Sequence, residues 1–261
     1  FMTGLINSYK KVYENKKIHI WLFIIAFVWS FSSTMFDIKI GKPNTYKQNP
    51  FDILFNIFIG GYSLQFLHNA INNINSGVLP SFKEIQSKVF WGMIKLNIIW
   101  GVYACAALFF AVIIYMIALH TIIIPVGVIA VVAFLSVFVY YIFLAYAENL
   151  DSKGLGNISL IFKFVKPAFK QTYIKLITFI LFSLAVAAVY ILIYTAAGLT
   201  GLDKFGYIAD EYYLMDTFMY AFATYFLIVT WFLAFPYSLI NIYNKSVRPV
   251  LRKDSSDEQN A

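Results

Sequence analysis

Charge is scarce in this 261-residue chain: Asp, Glu, Lys and Arg make up 13% of it, against 61% hydrophobic and 20% aromatic residues. A soluble domain of this size cannot bury that much apolar surface, so the composition implies a protein embedded in a bilayer. Cysteine is scarcer still. Cys105 stands alone, which excludes an internal disulfide and a thiolate metal cluster, and its place inside an apolar run predicts a small buried side chain. The three histidines, His19, His68 and His120, have no HExxH pair or carboxylate cluster beside them, so no metal or other cofactor is expected. Neither a GxSxG elbow nor a phosphate loop occurs, and no enzyme is expected. Ionisable residues deep in apolar runs would mark a proton relay, and almost none are found there. Arginine is limited to Arg248 and Arg252; the net charge of +7 comes from lysines flanking apolar runs, which argues for a topology signal and against a nucleic-acid partner.

What is abundant is long apolar sequence. Four stretches of span length read directly, and two more appear once short polar interruptions are allowed, giving six expected transmembrane helices at 18–36, 51–70, 94–118, 126–147, 173–197 and 215–243. The fold class is therefore all-α and polytopic. Sixteen of the twenty basic residues fall in the two end segments and in the second and fourth loops, four in the others. Lysine-rich loops stay on the cytoplasmic side, so both termini are expected in the cytoplasm of a cell whose plasma (inner) membrane holds the chain. Residues 1–17 read as a cytoplasmic amphipathic segment, 18–244 as the membrane domain and 245–261 as a polar, flexible tail.

The stretch GGYSLQFLHNAINNINSGVLPSF, residues 60–82, begins as a span and ends as a surface turn. A helix leaving the hydrocarbon would stop at Gly77; Ser81 would then cap a new helix, with Glu84 reaching back to complete a capping box. Phe82, Ile85, Val89, Met93 and Leu96 recur at helical spacing, which predicts a short amphipathic helix on the cytoplasmic surface before span three. Gly60, Gly61, Tyr62, Gly77, Pro80, Ser81 and Glu84 together form an expected structural corner. A second surface helix is expected in NISLIFKFVKPAFK, capped by Asn157, with Lys163, Lys166 and Lys170 along one stripe and Ile158, Phe162, Val165 and Phe169 away from it; Pro167 interrupts it. With Lys83 and Lys88 these lysines make a candidate interface to anionic lipid. An offset of 80 residues sets MIKL (93–96) against YIKL (173–176), a thin internal repeat of parallel sense.

The run from Gly61 to Lys95 resembles the signature of a family of polytopic prokaryotic membrane proteins, the domain of unknown function 4013 family. Gly61, Tyr62, Gly77, Leu79, Pro80, Phe82, Gly92 and Lys95 follow its order. Phe82 departs from it where Trp is usual, as do Gln65 and His68 where basic residues are common. The resemblance implies a multi-span fold and carries no activity. Two functional readings stay open: a non-enzymatic membrane scaffold, lipid-interacting protein or complex subunit, or a small transporter or channel for an amphiphile with a path along Asn56, Ser63, Gln65, Asn97, Thr230 and Asn241. Membrane lipids are the expected partner, with a second membrane protein or a homo-oligomer left open. At the ends of the expected spans Glu148 and Lys175 are a candidate ion pair, with independent solvation the favoured reading.

Overall fold

The computed structural model describes residues 2–40, 50–74, 78–117, 137–150, 159–209 and 212–252. They are helical almost throughout. α1 (Met2–Tyr13) is followed after a two-residue break by α2 (Lys16–Ile40), then by α3 (Pro50–Ile71) and α4 (Ser87–Ile117). Next come α5 (Val139–Asn149) and α6 (Ser159–Thr200), the latter 42 residues long. The last helical rod consists of α7 (Leu214–Leu227), a π-helical stretch (Ile228–Ala234), α8 (Phe235–Ile242) and a second π stretch (Tyr243–Val247). A small antiparallel ribbon, β1 (Tyr207–Ala209) with β2 (Tyr212–Tyr213), joins α6 to α7, a local departure from an otherwise all-α fold. Gly77, Pro125, Gly127, His120, Asn157 and the tail from 253 onward lie outside the described residues.

Three helices are long and apolar enough to cross a membrane: Lys16–Met35, Lys163–Thr200 and Leu214–Arg252, counted among the described residues. The expected spans two and three fall within α3 and α4. Of span four the structure describes only the end, α5, which begins after a turn at 137–138.

Most of the large buried side chains lie at one end of the bundle, and a seam between α2 and α7, with Leu22, Ala26, Met219 and Ala221 buried, continues toward the other. Tyr62, Leu64, Phe66 and Leu67 of α3, Val89 and Leu96 of α4, Phe138, Tyr141 and Leu144 around α5, and Leu233, Phe235, Leu239 and Tyr243 of the last rod are all buried. At the other end the apolar side chains face outward: Ile98, Val102, Phe109 and Val112 on α4 and Ile180, Leu184, Val189 and Leu192 on α6 are exposed. Cys105 belongs to this outward band and is exposed, which corrects the expectation of a buried thiol. An apolar side chain on a span is equally satisfied by lipid, so an apolar run does not tell protein contact from lipid contact.

Two expected surface helices are absent as separate elements. The 82–96 stripe is realised as burial, since Val89, Met93 and Leu96 are covered and Phe82 and Ile85 pack against them. However, Phe82–Glu84 form a single 3-10 turn, and α4 then runs unbroken from Ser87 into the apolar band. Likewise 159–171 is the first third of α6, and Pro167 sits inside that helix without ending it. The lost hydrogen bond falls on an exposed side, where the solvent or interface can satisfy the carbonyl one turn back. The boundary drawn at 244 also moves, because helix continues through Arg252 and Val247 is buried.

Candidate lipid interface and structural corner

The residues of the expected corner are joined by close packing and by hydrogen bonds to the loop. Gly60 lies against Met93, and a Cβ at Gly61 would come 2.6 Å from the Phe90 ring. Without side chains at these positions α3 and α4 approach closely, as small residues allow in membranes. Tyr62 is fully buried and its hydroxyl donates to the Pro80 carbonyl at 2.9 Å, which ties the loop to α3. Asn15 Nδ2 donates to the next carbonyl, Leu79 O, at 3.1 Å. The capping box does not form: Ser81 Oγ donates to Glu84 Oε1 at 2.8 Å and caps no backbone N–H. Instead Gln65 reaches across from α3, accepting the Gln86 N–H at 3.0 Å at the start of α4. The start of α4 is thus capped by a tertiary partner, while the Glu84 N–H goes to the Ser81 carbonyl. Gly92, quoted with the resemblance, is a further contact of the same kind, packed against the Tyr146 ring of α5.

The candidate lipid-interface lysines are all on the outside. Lys83, Lys88, Lys163, Lys166 and Lys170 are exposed. Around α6 the buried stripe is Phe164, Ala168, Thr172 and Phe179, spaced as one helical face. It replaces the expected apolar face: Phe169 is exposed, Val165 only partly buried, and the side chains of Ile158 and Phe162 lie outside those described. The reason is α5, whose Tyr141 hydrogen-bonds Thr172 at 2.6 Å and meets Phe164 edge-on. The lysines therefore lie on the exposed side of α6, with exposed Phe169 beside them.

Contacts gather the lysine-bearing segments at one end. Tyr146 Oη donates to Lys88 O at 2.9 Å, His68 Nδ1 is 2.7 Å from Ala147 O, and Gly4 faces the Lys175 ammonium. The strongest tie is at Glu148. Its carboxylate accepts from Tyr243 Oη at 2.5 Å and pairs with Arg248, with Arg252 at 3.9 Å, while Asn72 Nδ2 donates to the Glu148 carbonyl at 3.0 Å. The candidate partner Lys175 is not there; the two arginines have taken the carboxylate. The signal was in the sequence, since Glu148 is the sole acid of 137–150 and Arg248 and Arg252, the only arginines, are one helical turn apart.

Among the described residues the polar side chains read as a candidate path divide into those engaged between helices and those that are exposed. Ser63 Oγ donates to Phe232 O. That carbonyl lies four residues before Pro236, which has no N–H to offer it, and in the π stretch the Phe235 N–H already goes to Thr230 O. Thr230 is buried against Tyr9 Oη at 2.6 Å; burial pushes the Tyr9 hydroxyl up to about 12, so it stays neutral. Gln65 is bonded to Asn69 and Gln86, whereas Asn56, Asn97 and Asn241 are exposed. His19 is buried. It is 8% exposed, and Nε2 must donate to the Val12 carbonyl at 2.9 Å, which leaves Nδ1 to accept from Tyr225 Oη at 2.7 Å. Among the described residues no cluster of three metal-ligating side chains occurs.

No family model, curated protein or solved structure matches the chain.

Proposed function

We propose that the chain is a non-enzymatic integral membrane protein, a lipid-interacting scaffold or complex subunit, with six spans in a prokaryotic plasma membrane and both ends cytoplasmic. The observation that carries this reading is the division of polar groups. Those inside the bundle, such as Ser63, Gln65 and Thr230, are engaged between helices, while Lys83, Lys88, Lys163, Lys166 and Lys170 are displayed outward. Helices that hydrogen-bond one another hold a fixed arrangement, and outward lysines draw that arrangement onto anionic headgroups at about 1 kcal/mol each. The 61–95 segment is the part that would place the chain beside the domain of unknown function 4013 family. A transporter is the second reading, favoured only by a polar cleft beside Lys175 at the same end of the bundle.

Topology is tested with single cysteines at Asn44, Ser81, Asn157 and Asp210 in a Cys105→Ser background, labelled on intact cells. Positions 44 and 210 should react and positions 81 and 157 should not; reaction of the latter pair from outside rejects the orientation. The lipid reading is tested by reconstituting the full chain into vesicles with and without acidic lipid. Anionic lipid should be enriched around the protein at low salt and less so at high salt, and no enrichment rejects it.

A further inference from the structure

The geometry points to a phosphate-binding cleft around Lys175, serving the phosphate of an anionic phospholipid headgroup; for that source it rests on the lipid-interacting reading above. Two hollows, of about 260 and about 360 Å³, share Gly4 and Lys175 in their walls. Gln171 adds a carboxamide to the first, and Asn73, Asn241 and Asn244 add three to the second. Neither wall contains an Asp or Glu. Among the described residues Lys175 has neither a carboxylate nor a hydrogen-bond partner, although it is half-buried. Glu14, whose charge reaches Tyr237 on the wall, is already paired with Lys11 at 2.8 Å.

The chemistry of the wall selects an anion. A lysine without a counter-ion repels cations, and the hydroxyl protons of Ser8 and Ser238 are committed to Gly4 O and Phe235 O. The donors left are the ammonium, the carboxamide N–H groups and, in the second hollow, the Tyr237 hydroxyl. They surround a volume that suits a group with several acceptor oxygens, and lysine serves such a group as a point charge. The level is that of a headgroup: from Ile177 outward α6 exposes Ile177, Ile180, Leu181 and Leu184, and the smaller hollow continues past Thr178 to Phe179. A bound phosphate there would leave its acyl chains beside the apolar band.

The test uses the purified full chain in neutral detergent, titrated with dihexanoyl phosphatidylglycerol, with dihexanoylglycerol lacking phosphate and with inorganic phosphate, binding being read from the melting-temperature shift and native mass spectrometry. Phosphatidylglycerol should bind and dihexanoylglycerol should not. Lys175→Met should weaken binding at least about tenfold, the loss of one charge-assisted hydrogen bond, and Lys175→Arg should keep it. Asn241→Asp, at an exposed position, places a carboxylate at the rim and should weaken binding as well, which decides the matter if Lys175→Met does not fold. Inorganic phosphate binding as tightly, with the same dependence on Lys175, keeps the chemistry and assigns it to a soluble phosphate compound. Binding by both Lys175→Met and Asn241→Asp at the wild-type level overturns the proposal, as does equal binding of dihexanoylglycerol. Lys163, Lys166 and Lys170 changed together to Gln should lower vesicle enrichment and leave this titration unchanged, so the cleft and the wider lipid reading fail separately.

Discussion

The two ends of α6 differ in charge and in surroundings: residues 159–175 carry four lysines, and residues 176–200 carry no charge. In its first turns Phe164, Ala168 and Thr172 are fully buried against α5, with lysines on the outer side. Across the span Lys163–Thr200, in contrast, only 6% of the most apolar window is buried within the protein, against 50% for Leu214–Arg252. At 42 residues and 1.5 Å per residue the helix is about 63 Å long, roughly twice a hydrocarbon core of about 30 Å. One half must therefore stand outside the hydrocarbon. The half with a packed, hydrogen-bonded side and charged outer side suits that position, and the half whose apolar surface has no protein cover suits lipid. Stability from side-chain packing should accordingly be concentrated at the lysine-bearing end.

Glu148→Ala should break that comparison open most strongly. It leaves Arg248 without its carboxylate and frees Tyr243 Oη; removing one member of a buried pair costs about 3–5 kcal/mol, and with Arg248 side-chain exposure of 30% we expect about 2–4. Thermal melting in detergent should show the largest drop of any single variant below. A drop no larger than that of a surface change would mean the Glu148 cluster does not hold the packed end.

Glycine to alanine sharpens the contrast because its sign should differ between the ends. Gly92→Ala drives a methyl into the Tyr146 ring and should cost about 1–3 kcal/mol. Gly101, on the same helix in the apolar band, has nothing within 4 Å of a new Cβ, so Gly101→Ala should be neutral or stabilise by up to about 1 kcal/mol through helix propensity. Equal effects in melting experiments would contradict the assignment of α4 to two environments.

Tyr62→Phe is a smaller probe. It leaves the Pro80 carbonyl without its donor and should cost about 1 kcal/mol, with a matching rise in protease cleavage between Gly77 and Glu84. Unchanged cleavage would show that packing alone holds the corner. Smallest in stability is the change of Lys163, Lys166 and Lys170 to Gln. Exposed positions should shift melting by less than about 0.5 kcal/mol each, while the anionic-lipid enrichment of the reconstituted protein falls. A large melting change would make those lysines part of the packing.

Much of the corner was readable from residues 60–96. Gly60 and Gly61 pack on Met93 and Phe90 and Tyr62 reaches Pro80, while the stripe through Val89, Met93 and Leu96, expected on a surface helix, is covered by protein. The Ser81 cap was not: the Glu84 N–H goes to the Ser81 carbonyl, the Ser81 hydroxyl to the Glu84 carboxylate, and the helix proper starts later, where Gln65 accepts the Gln86 N–H from 21 residues away. The Glu148 pairing failed for a similar reason: charge alone made Lys175 a reasonable partner, and only the path of the last helix brings Arg248 closer.

The sequence by itself determined that the chain is helical and membrane-embedded, since uncharged runs of span length leave the backbone no other way to satisfy its hydrogen bonds in hydrocarbon. It also determined where the basic residues cluster. Only the tertiary structure decided which apolar faces meet protein and which face outward, because leucine, isoleucine and phenylalanine are satisfied by either neighbour. It likewise decided the hydrogen-bond partners of Ser63, Gln65, His19 and Glu148, since a polar side chain states a need for a partner and only the packing of distant helices says which one answers it.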